Sequence, residues 1–506
     1  MSHPIPTIVT PVEATSPGQP FLLSGWSNWS NWSSWRRARW LLCAGAVPAL
    51  WACSARTLGD PTGQSSVVEQ VNILQDQTRK LDLLFMIDDS ASMKPLQAKL
   101  ALRLPDFMAV LAGVPGGLPD LHVAIISSSL GAGAYGDVPG CTPGPPGDDG
   151  GKFQHLAGCG LDPGANFLTA SADRTTNNFS GPIETVFGCL ALLGEGGCGF
   201  EHQFESTRQA LIKAINQDAD NVGFWRDDAL LGVVMLTNED DCSVPPDSQL
   251  FDPAVQSVND QPPLGGLWSY RCNELGHTCD QPLPHTADGL PTTLTGCKSK
   301  ENTDGLYHLT PEADFKTFFR QIKSPEREFL AIIAGPPAPY TVGVHTAQLD
   351  DGSTEPQPEI EHSCTATDGT YADPGIRETA LVSDLGGTFL SICQDDFKPA
   401  LMQIAGNIIH ILDPQCIRGN VTMVGGAPDC NVVLRPVSAG TSSKDQTLPY
   451  CDGGTTSSTG TAPCWSLTTD PQLCPDAQML RICYDATCGL PPLDTPTTNA
   501  LVSCAE

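Results

Sequence analysis

The sequence predicts an α/β protein built on a doubly wound, mainly parallel sheet. From Leu81 onward, several short segments are apolar on both faces, and they alternate with segments of helical periodicity. Strands that are buried on both faces and alternate with helices are typical of parallel sheets covered on both sides. The chain also contains 49 Gly, 44 Pro and 20 Cys, which predicts long, disulfide-tied inserts between these elements.

The predicted elements follow one another in a regular order. The first strand, LDLLFMI, begins at Leu81, and the helical stretch MKPLQAKLALRLPDFMAVLAG after it should be interrupted at Pro105. Leu121–Ser129 is the second predicted strand. The remaining predicted elements are the helices GPIETVFGCLALLG and FEHQFESTRQALIKAINQ, strand LLGVVMLTN, helix PEADFKTFFRQIKS, strand EFLAIIAG, helix GIRETALVSDLG, strand TFLSIC and helix DFKPALMQIAGNIIHIL.

Residues 1–53 have the pattern of an export signal preceded by a low-complexity extension. A basic stretch is followed by apolar residues from Trp40 to Trp51, a run too short to span a bilayer as a helix. Leu50–Cys53 resembles a bacterial lipobox, which implies lipidation of Cys53 and a tether over residues 54–77. Cleavage of the signal at another small residue is the alternative.

The charge balance limits the classes of partner. The chain has 27 basic and 57 acidic residues, a net charge of -30. Such an excess of negative charge argues against binding to nucleic acid or to an anionic membrane surface. It suits an exported protein that binds cations and contacts the membrane only through an N-terminal lipid anchor.

The cysteines predict an oxidising compartment and divide the chain into segments. Without Cys43 and Cys53, 18 of the 20 remain, and they fall into even groups that suggest local pairing. Disulfides require an oxidising compartment, and together with the lipobox-like string they predict the outer membrane or cell surface, with the periplasm as the alternative. The predicted groups are Cys141 with Cys159, Cys189 with Cys198, the four from Cys242 to Cys297, Cys364 with Cys393, and eight from Cys416 to Cys504.

The same patterns predict the domain organisation. The α/β domain should cover residues 78–413, with inserts at about 131–181 and 243–310. Residues 414–506 alternate short β-like runs with Gly, Ser and Thr turns and contain eight cysteines. We expect a small, β-rich C-terminal module that is held together by disulfides.

A polar motif follows the first predicted strand. Asp88, Ser90 and Ser92 form D-x-S-x-S at the carboxyl end of that strand, where ligands bind in open α/β sheets. Carboxylate and hydroxyl oxygens are the ligands that hard divalent cations prefer. The motif and the order of elements from Arg79 to Leu412 resemble the von Willebrand factor type A (vWA) family and its metal-ion-dependent adhesion site. The resemblance implies Mg²⁺, with Mn²⁺ or Ca²⁺ as alternatives, and a partner that contributes an acidic group.

Two other loops depart from the family pattern. Where the family has a Thr before a helix, this chain has Cys198, and a disulfide to Cys189 would keep its sulfur from a metal. Where the family has an Asp after the next strand, this chain has Asn238. Nearby acids could compensate, or they could be loop charges that face solvent. These acids are Glu201, expected one turn into the preceding helix, and Glu239, Asp240 and Asp241.

The sequence favours binding over catalysis. It contains no H-E-x-x-H, G-x-S-x-G or Walker motif, and GAGAYG at Gly131–Gly136 is not followed by the helix that nucleotide binding requires. We therefore expect no enzyme activity and a protein that binds another protein or an acidic ligand. A metal-independent scaffold is the first alternative, and a hydrolase that uses a cation at Asp88 is the second.

Overall fold

A computed structural model describes residues 71–75, 80–113, 118–172, 174–301, 305–349, 352–412, 416–418, 421–436, 445–451, 463–469, 477–483 and 498–504. The export signal, Cys53 and most of the expected tether lie outside these residues. Among the described residues, no helix is both long enough and apolar enough to cross a bilayer.

The centre of the structure is a six-stranded, mainly parallel sheet. Its strands lie in the order β6-β5-β4-β1-β2-β3, and β3 is an edge strand antiparallel to β2, whereas the other neighbouring pairs are parallel. The mixed α/β architecture predicted from the sequence is therefore confirmed. In chain order the strands are β1 (Lys80–Ile87), β2 (Asp120–Ile126), β3 (Leu168–Ala170), β4 (Leu230–Leu236), β5 (Glu328–Ala334) and β6 (Thr388–Ser391).

Helices cover both faces of this sheet, which explains why β1 and β4 are apolar along almost their whole length. On one face α1, α2 and α7 pack against side chains such as Phe85, and on the other α3, α5 and α6 pack against side chains such as Met86. The helices are α1 (Lys94–Ala112), α2 (Ile183–Leu190), α3 (Gln203–Ile215), α4 (Tyr270–Gly276), α5 (Glu312–Ile322), α6 (Ile376–Asp384) and α7 (Lys398–Leu412), with a 3-10 turn at Pro325–Arg327.

Helix α1 corrects one sequence prediction, because it continues through Pro105. Leu104 before the proline and Phe107 and Leu111 after it are fully buried against the sheet. Proline removes one backbone hydrogen bond of a helix, and the burial of apolar side chains on both sides of Pro105 outweighs that loss.

The first insert lies between β2 and α2 and corrects the predicted disulfides. The bonds are Cys141–Cys198 and Cys159–Cys189, with Cα–Cα distances of 4.4 and 5.4 Å. The predicted bonds Cys141–Cys159 and Cys189–Cys198 are therefore wrong. The insert folds back beside the segment around α2, so each of its cysteines meets one from that segment instead of its neighbour in sequence.

The second insert follows β4 and contains α4. Its four cysteines pair among themselves as predicted, in the bonds Cys242–Cys272 and Cys279–Cys297. The side chain of Arg271 is buried here and donates hydrogen bonds to backbone carbonyls of the surrounding loop, including those of Leu250 and Gly266 at 3.0 and 2.6 Å. This buried guanidinium holds together a segment with little regular structure of its own.

A third insert, between β5 and α6, was not predicted. Its hairpin pairs Tyr340–Gln348 with Thr354–Glu361, and Tyr340–Gln348 also pairs with Thr292–Leu294 of the second insert. The two inserts therefore share one small antiparallel sheet. The Cys364–Cys393 disulfide ties this region to the segment after β6, as predicted. The second insert also contains the two-residue strands His277–Thr278 and Lys298–Ser299, and the third contains Cys364–Thr365 and Tyr371–Ala372.

The C-terminal region forms small antiparallel sheets around its own core, which contains Trp465 and Leu480. Residues 71–75, assigned above to a tether, pair as a strand with Thr498–Cys504 in this region. The disulfides Cys430–Cys504 and Cys451–Cys464 stay within the predicted group, and Cys483 is also disulfide-bonded. The strands are Val71–Gln75, Cys416–Arg418, Met423–Val424, Ala427–Pro428, Cys430–Pro436, Gln446–Leu448, Cys464–Thr468, Ala477–Cys483 and Thr498–Cys504.

Candidate functional site

The candidate site lies at the carboxyl edge of the sheet, where β1, β2 and β4 end side by side. Asp88 is the first residue after β1, and its amide donates a hydrogen bond to the carbonyl of Leu236 at the end of β4 (2.9 Å). The Asp88 side chain is completely buried. Parallel strands thus bring loops that are distant in sequence around one carboxylate.

Three neighbouring groups hold the Asp88 carboxylate in place. The Ser90 amide donates to Oδ1 at 2.8 Å, and the Ser128 hydroxyl donates to the same oxygen at 3.3 Å. The Thr237 hydroxyl donates to Oδ2 at 2.8 Å and in turn accepts a hydrogen bond from Nε2 of Gln203 at 2.9 Å. Burial raises the pKa of Asp88 and these hydrogen bonds oppose the rise. The carboxylate therefore has a fixed orientation.

Several oxygens beside this carboxylate are buried without a hydrogen-bond partner. They include the Ser90 hydroxyl and Oδ1 of Asn238, in residues that are 3% and 1% exposed. Asn238 donates through Nδ2 to the Ser92 hydroxyl at 2.8 Å, which joins the loop after β4 to the motif after β1. Buried polar atoms without protein partners are uncommon in folded proteins, so these two oxygens are candidates for binding an ion, a ligand or a water molecule.

Two further acids approach the site. Glu201 is 1% exposed, and among the described residues its carboxyl group contacts that of Glu239 and no basic side chain. Burial raises its pKa well above the usual range, and the charges of Glu239 and Asp88 raise it further. Glu239 is half-buried, and burial together with the charges of Asp373 and Asp88 raises its pKa to about 8. The carboxyl groups of Asp88, Glu201 and Glu239 therefore lie close together, which makes the two glutamates harder to ionise.

The position of Glu201 differs from the prediction. Helix α3 begins at Gln203, so Glu201 lies in the loop before the helix and not one turn into it. Cys198, in the place where the family Thr was expected, is bonded to Cys141, and its amide donates to the Ser129 hydroxyl at 2.9 Å. In this loop it is therefore Glu201, and not Cys198, whose side chain interacts with Asp88.

Asp240 and Asp241 do not join this group of oxygens. The Asp240 carboxylate accepts hydrogen bonds from the amides of Ile376 and Arg377 at the start of α6, at 3.1 and 2.9 Å, and lies 2.8 Å from Nε2 of His277. Burial raises its pKa, but a hydrogen bond from the Glu378 carboxyl group, then His277 and the charge of Arg377, lower the pKa to about 2. Asp241 forms a buried ion pair with Arg377 at 3.1 Å. Both acids hold the loop after β4 instead of facing the site.

Asp89 fixes the first insert against the same edge. It accepts a hydrogen bond from the Ser129 hydroxyl at 2.9 Å, and its carbonyl accepts one from the Gly197 amide at 2.9 Å. A Cβ atom at Gly197 would lie 2.4 Å from the Asp89 carboxylate, so glycine is required there. Burial, and then the charge of Asp88, raises the pKa of Asp89 to about 7.

The rim of the site comes from the second and third inserts. The amide of Asp373 donates to the carbonyl of Asn238 at 2.8 Å, and the Asp373 carboxylate lies 2.7 Å from Nδ1 of His362. The imidazole of His362 stacks on the exposed ring of Tyr371, with centroids 3.7 Å apart. The Ser269 hydroxyl of the second insert contacts Glu239.

The residues at this site fit a hard divalent cation, but the acidic side chains alone would not be enough to hold it. Within the described part of the chain, no group of three His, Cys, Asp or Glu side chains could hold a metal by itself. A cation beside Asp88 would therefore also need the oxygens of Ser90, Ser92 and Asn238. Hydroxyl, amide and carboxylate oxygens form the donor set that Mg²⁺ and Ca²⁺ accept, and two of these oxygens have no other partner.

Some of these site residues were not named from the sequence. Ser128, whose hydroxyl supports Asp88, is the second residue after β2, and Thr237 is the first after β4, so the run Ser127–Ser129 at a strand end was a usable signal. Asp373 gave no such signal, because its position depends on the hairpin of the third insert.

Comparisons with known proteins give only distant structural similarities. No protein-family model matches the sequence, and a search of curated proteins finds no match. Solved structures that align with it include the pilus adhesin SpaC of Lactobacillus rhamnosus GG, with 12% identity over 86% of this chain and 40% of that chain and a TM-score of 0.30. The chain therefore covers less than half of that adhesin.

Two further structures align with similar statistics. A von Willebrand factor type A protein from Catenulispora acidiphila shares 9% identity over 85% of this chain and 58% of that chain, with a TM-score of 0.26. The pilus adhesin RrgA of Streptococcus pneumoniae shares 12% identity over 86% of this chain and 58% of that chain, with a TM-score of 0.28.

Proposed function

We propose that the protein is an exported vWA-type binding protein that recognises a protein or acidic ligand at the carboxyl edge of its sheet, through a divalent cation. One observation carries the proposal: Asp88, Ser90 and Asn238 converge in a buried place where oxygens of Ser90 and Asn238 have no partner. Such atoms are costly to bury unless something binds them.

In this proposal, Asp88, Ser90, Ser92 and Asn238 hold the cation, with Mg²⁺ as the first candidate and Mn²⁺ and Ca²⁺ as alternatives. A bound cation supplies positive charge that an acidic group of the partner can meet. The chain itself orients the Asp88 carboxylate through Thr237 and excludes water from the inner side of the site by burial. The inserts around Tyr371 and Ser269 provide the remaining contact surface.

We further propose that the protein is attached to the outer membrane or cell surface through lipidated Cys53, with the periplasm as the alternative. The described disulfides fit an extracellular or surface protein, because such bonds persist in oxidising compartments. Lipid attachment would hold the binding face near the membrane without a spanning helix.

A pull-down of surface proteins with and without EDTA tests the proposal, with the Asp88→Ala variant as the control. Partner capture should be lost in EDTA, restored by Mg²⁺, and absent for Asp88→Ala. Capture that persists in EDTA and in the variant would favour the alternative function, a metal-independent scaffold.

A hydrolase is the remaining alternative, because a bound cation can activate water. We propose binding instead, because the groups that donate to the Asp88 carboxylate hold it in place and are not catalytic acids or bases. They are the Ser90 amide and the hydroxyls of Ser128 and Thr237. Turnover of phosphoester or peptide libraries that is lost in Asp88→Ala would overturn this choice.

A further inference from the structure

We propose that Glu201 is a direct ligand of the cation and supplies the negative charge that Asn238 lacks. This inference rests on the proposed cation site and assigns a specific role to one of its neighbouring acids. It concerns a residue that lies outside the D-x-S-x-S motif and in a different loop from Asn238.

The backbone around Glu201 is fixed between the two strands that flank β1. The carbonyl of Glu201 accepts a hydrogen bond from the amide of Cys242 after β4, at 2.8 Å. The next amide, that of His202, donates to the carbonyl of Ser128 after β2, at 2.9 Å. Gln203, two residues on, reaches Thr237. These contacts tie the Glu201 backbone to the residues that follow both strands.

The side chain of Glu201 is placed as a ligand would be. It is buried, its carboxyl group contacts that of Glu239 but no basic side chain among the described residues, and the strongest charges acting on it are the carboxylates of Glu239 and Asp88. Asp241 and Glu205, which are also buried acids of this region, are instead paired with Arg377 and Arg208. A buried carboxylate with no such partner requires a proton or a cation.

The charges of the site then balance. A divalent cation held by Asp88 and by neutral oxygens of serine and asparagine would keep an excess of one positive charge. Adding the Glu201 carboxylate balances the two positive charges of the ion, and an acidic group of the partner would then bind by completing the coordination of the ion. Glu239 is less buried than Glu201 and contacts Ser269 at the rim, so it can remain there without being a ligand.

Calorimetric titration of the purified protein with Mg²⁺, Mn²⁺ and Ca²⁺ tests this role. Glu201→Gln preserves the shape of the side chain and removes its charge. We expect it to weaken cation binding at least about tenfold, which is the smallest loss typical when a residue that only supports a metal ligand is replaced. Glu205→Gln makes the same change to a buried acid of the same region and should bind like the wild type. In the double variant Glu201→Gln/Asn238→Asp, the charge returns at position 238 and most of the lost affinity should be recovered.

Melting in EDTA distinguishes a ligand from a structural residue. Glu201→Gln should melt at or above the wild-type temperature in EDTA and gain less from added cation. If this variant does not fold, Glu201→Asp, which keeps the charge but shortens its reach, should bind cations more weakly. Wild-type affinity in these Glu201 variants would overturn the inference and leave the proposed function intact. Silence of the wild type towards all three cations would overturn both.

Discussion

Replacing Arg377 with methionine should destabilise the protein strongly, because it leaves a buried charge unpaired. Arg377 and Asp241 are both fully buried, with Nε and Oδ2 3.1 Å apart. Removing one partner of a buried ion pair costs about 3–5 kcal/mol. Arg377 also donates to the carbonyl of Thr310 at 2.7 Å, and a buried carbonyl without its donor adds about 1 kcal/mol. We therefore expect Arg377→Met to lower the free energy of unfolding by about 4 kcal/mol or more.

Urea unfolding of the oxidised protein measures this loss, and a double-mutant cycle with Asp241→Asn isolates the pair. Each single change should be costly, and the double variant should lose clearly less than their sum, because it leaves neither charge alone. Asp241 also accepts a hydrogen bond from the Phe204 amide at 2.9 Å, so Asp241→Asn should lose somewhat more than the pair alone explains. A loss below about 1 kcal/mol for Arg377→Met, the range of exposed pairs, would refute the reasoning.

Four further predictions concern other parts of the chain. Cys53→Ser should release the protein from the detergent phase, and unchanged partitioning would contradict lipidation. Denatured, unreduced protein should titrate with no free thiol, and reduction should affect residues 414–506 first, because losing a bridge from a small module costs about 2–5 kcal/mol. Burial raises the pKa of Glu328 to about 8, so the folded state keeps a proton that the unfolded chain releases near pH 4.5. The free energy of unfolding should therefore fall as the pH rises from the lower to the higher of these values, by up to about 1.4 kcal/mol per pH unit. Glu328→Gln should flatten this dependence of stability on pH. Asn238→Asp should tighten Mg²⁺ binding by about 1 to 3 kcal/mol, and unchanged affinity would place residue 238 outside the site.

The central sheet was predictable because its signal is local. Strands such as β4 are buried on both faces, and the helices between them have clear periodicity, so each element can be recognised from its own residues. Asp88 was predictable for the same reason, since it directly follows an apolar strand. Helix α1 shows the limit of local rules, because its continuation through Pro105 depends on burial against the sheet.

The inserts and the finer site were less predictable because they depend on contacts between distant segments. The Cys141–Cys198 bond spans 57 residues, and sequence proximity favoured a nearer partner. Likewise, four acids near Asn238 looked equivalent in the sequence. Only folding separates Asp240 and Asp241, which contact α6 and Arg377, from Glu201, whose carboxylate contacts no basic side chain among the described residues.

Cation titration of the wild type beside Asp88→Ala tests the central claim most directly. The Asp88 carboxylate is the charged group at the end of β1 that Ser90, Ser128 and Thr237 hold in place. We predict saturable calorimetric binding of Mg²⁺, Mn²⁺ or Ca²⁺ to the wild type, its loss in Asp88→Ala, and smaller losses in Ser90→Ala and Ser92→Ala, which each remove one neutral oxygen. No binding by the wild type, or equal binding by Asp88→Ala, would contradict a cation site at this edge of the sheet.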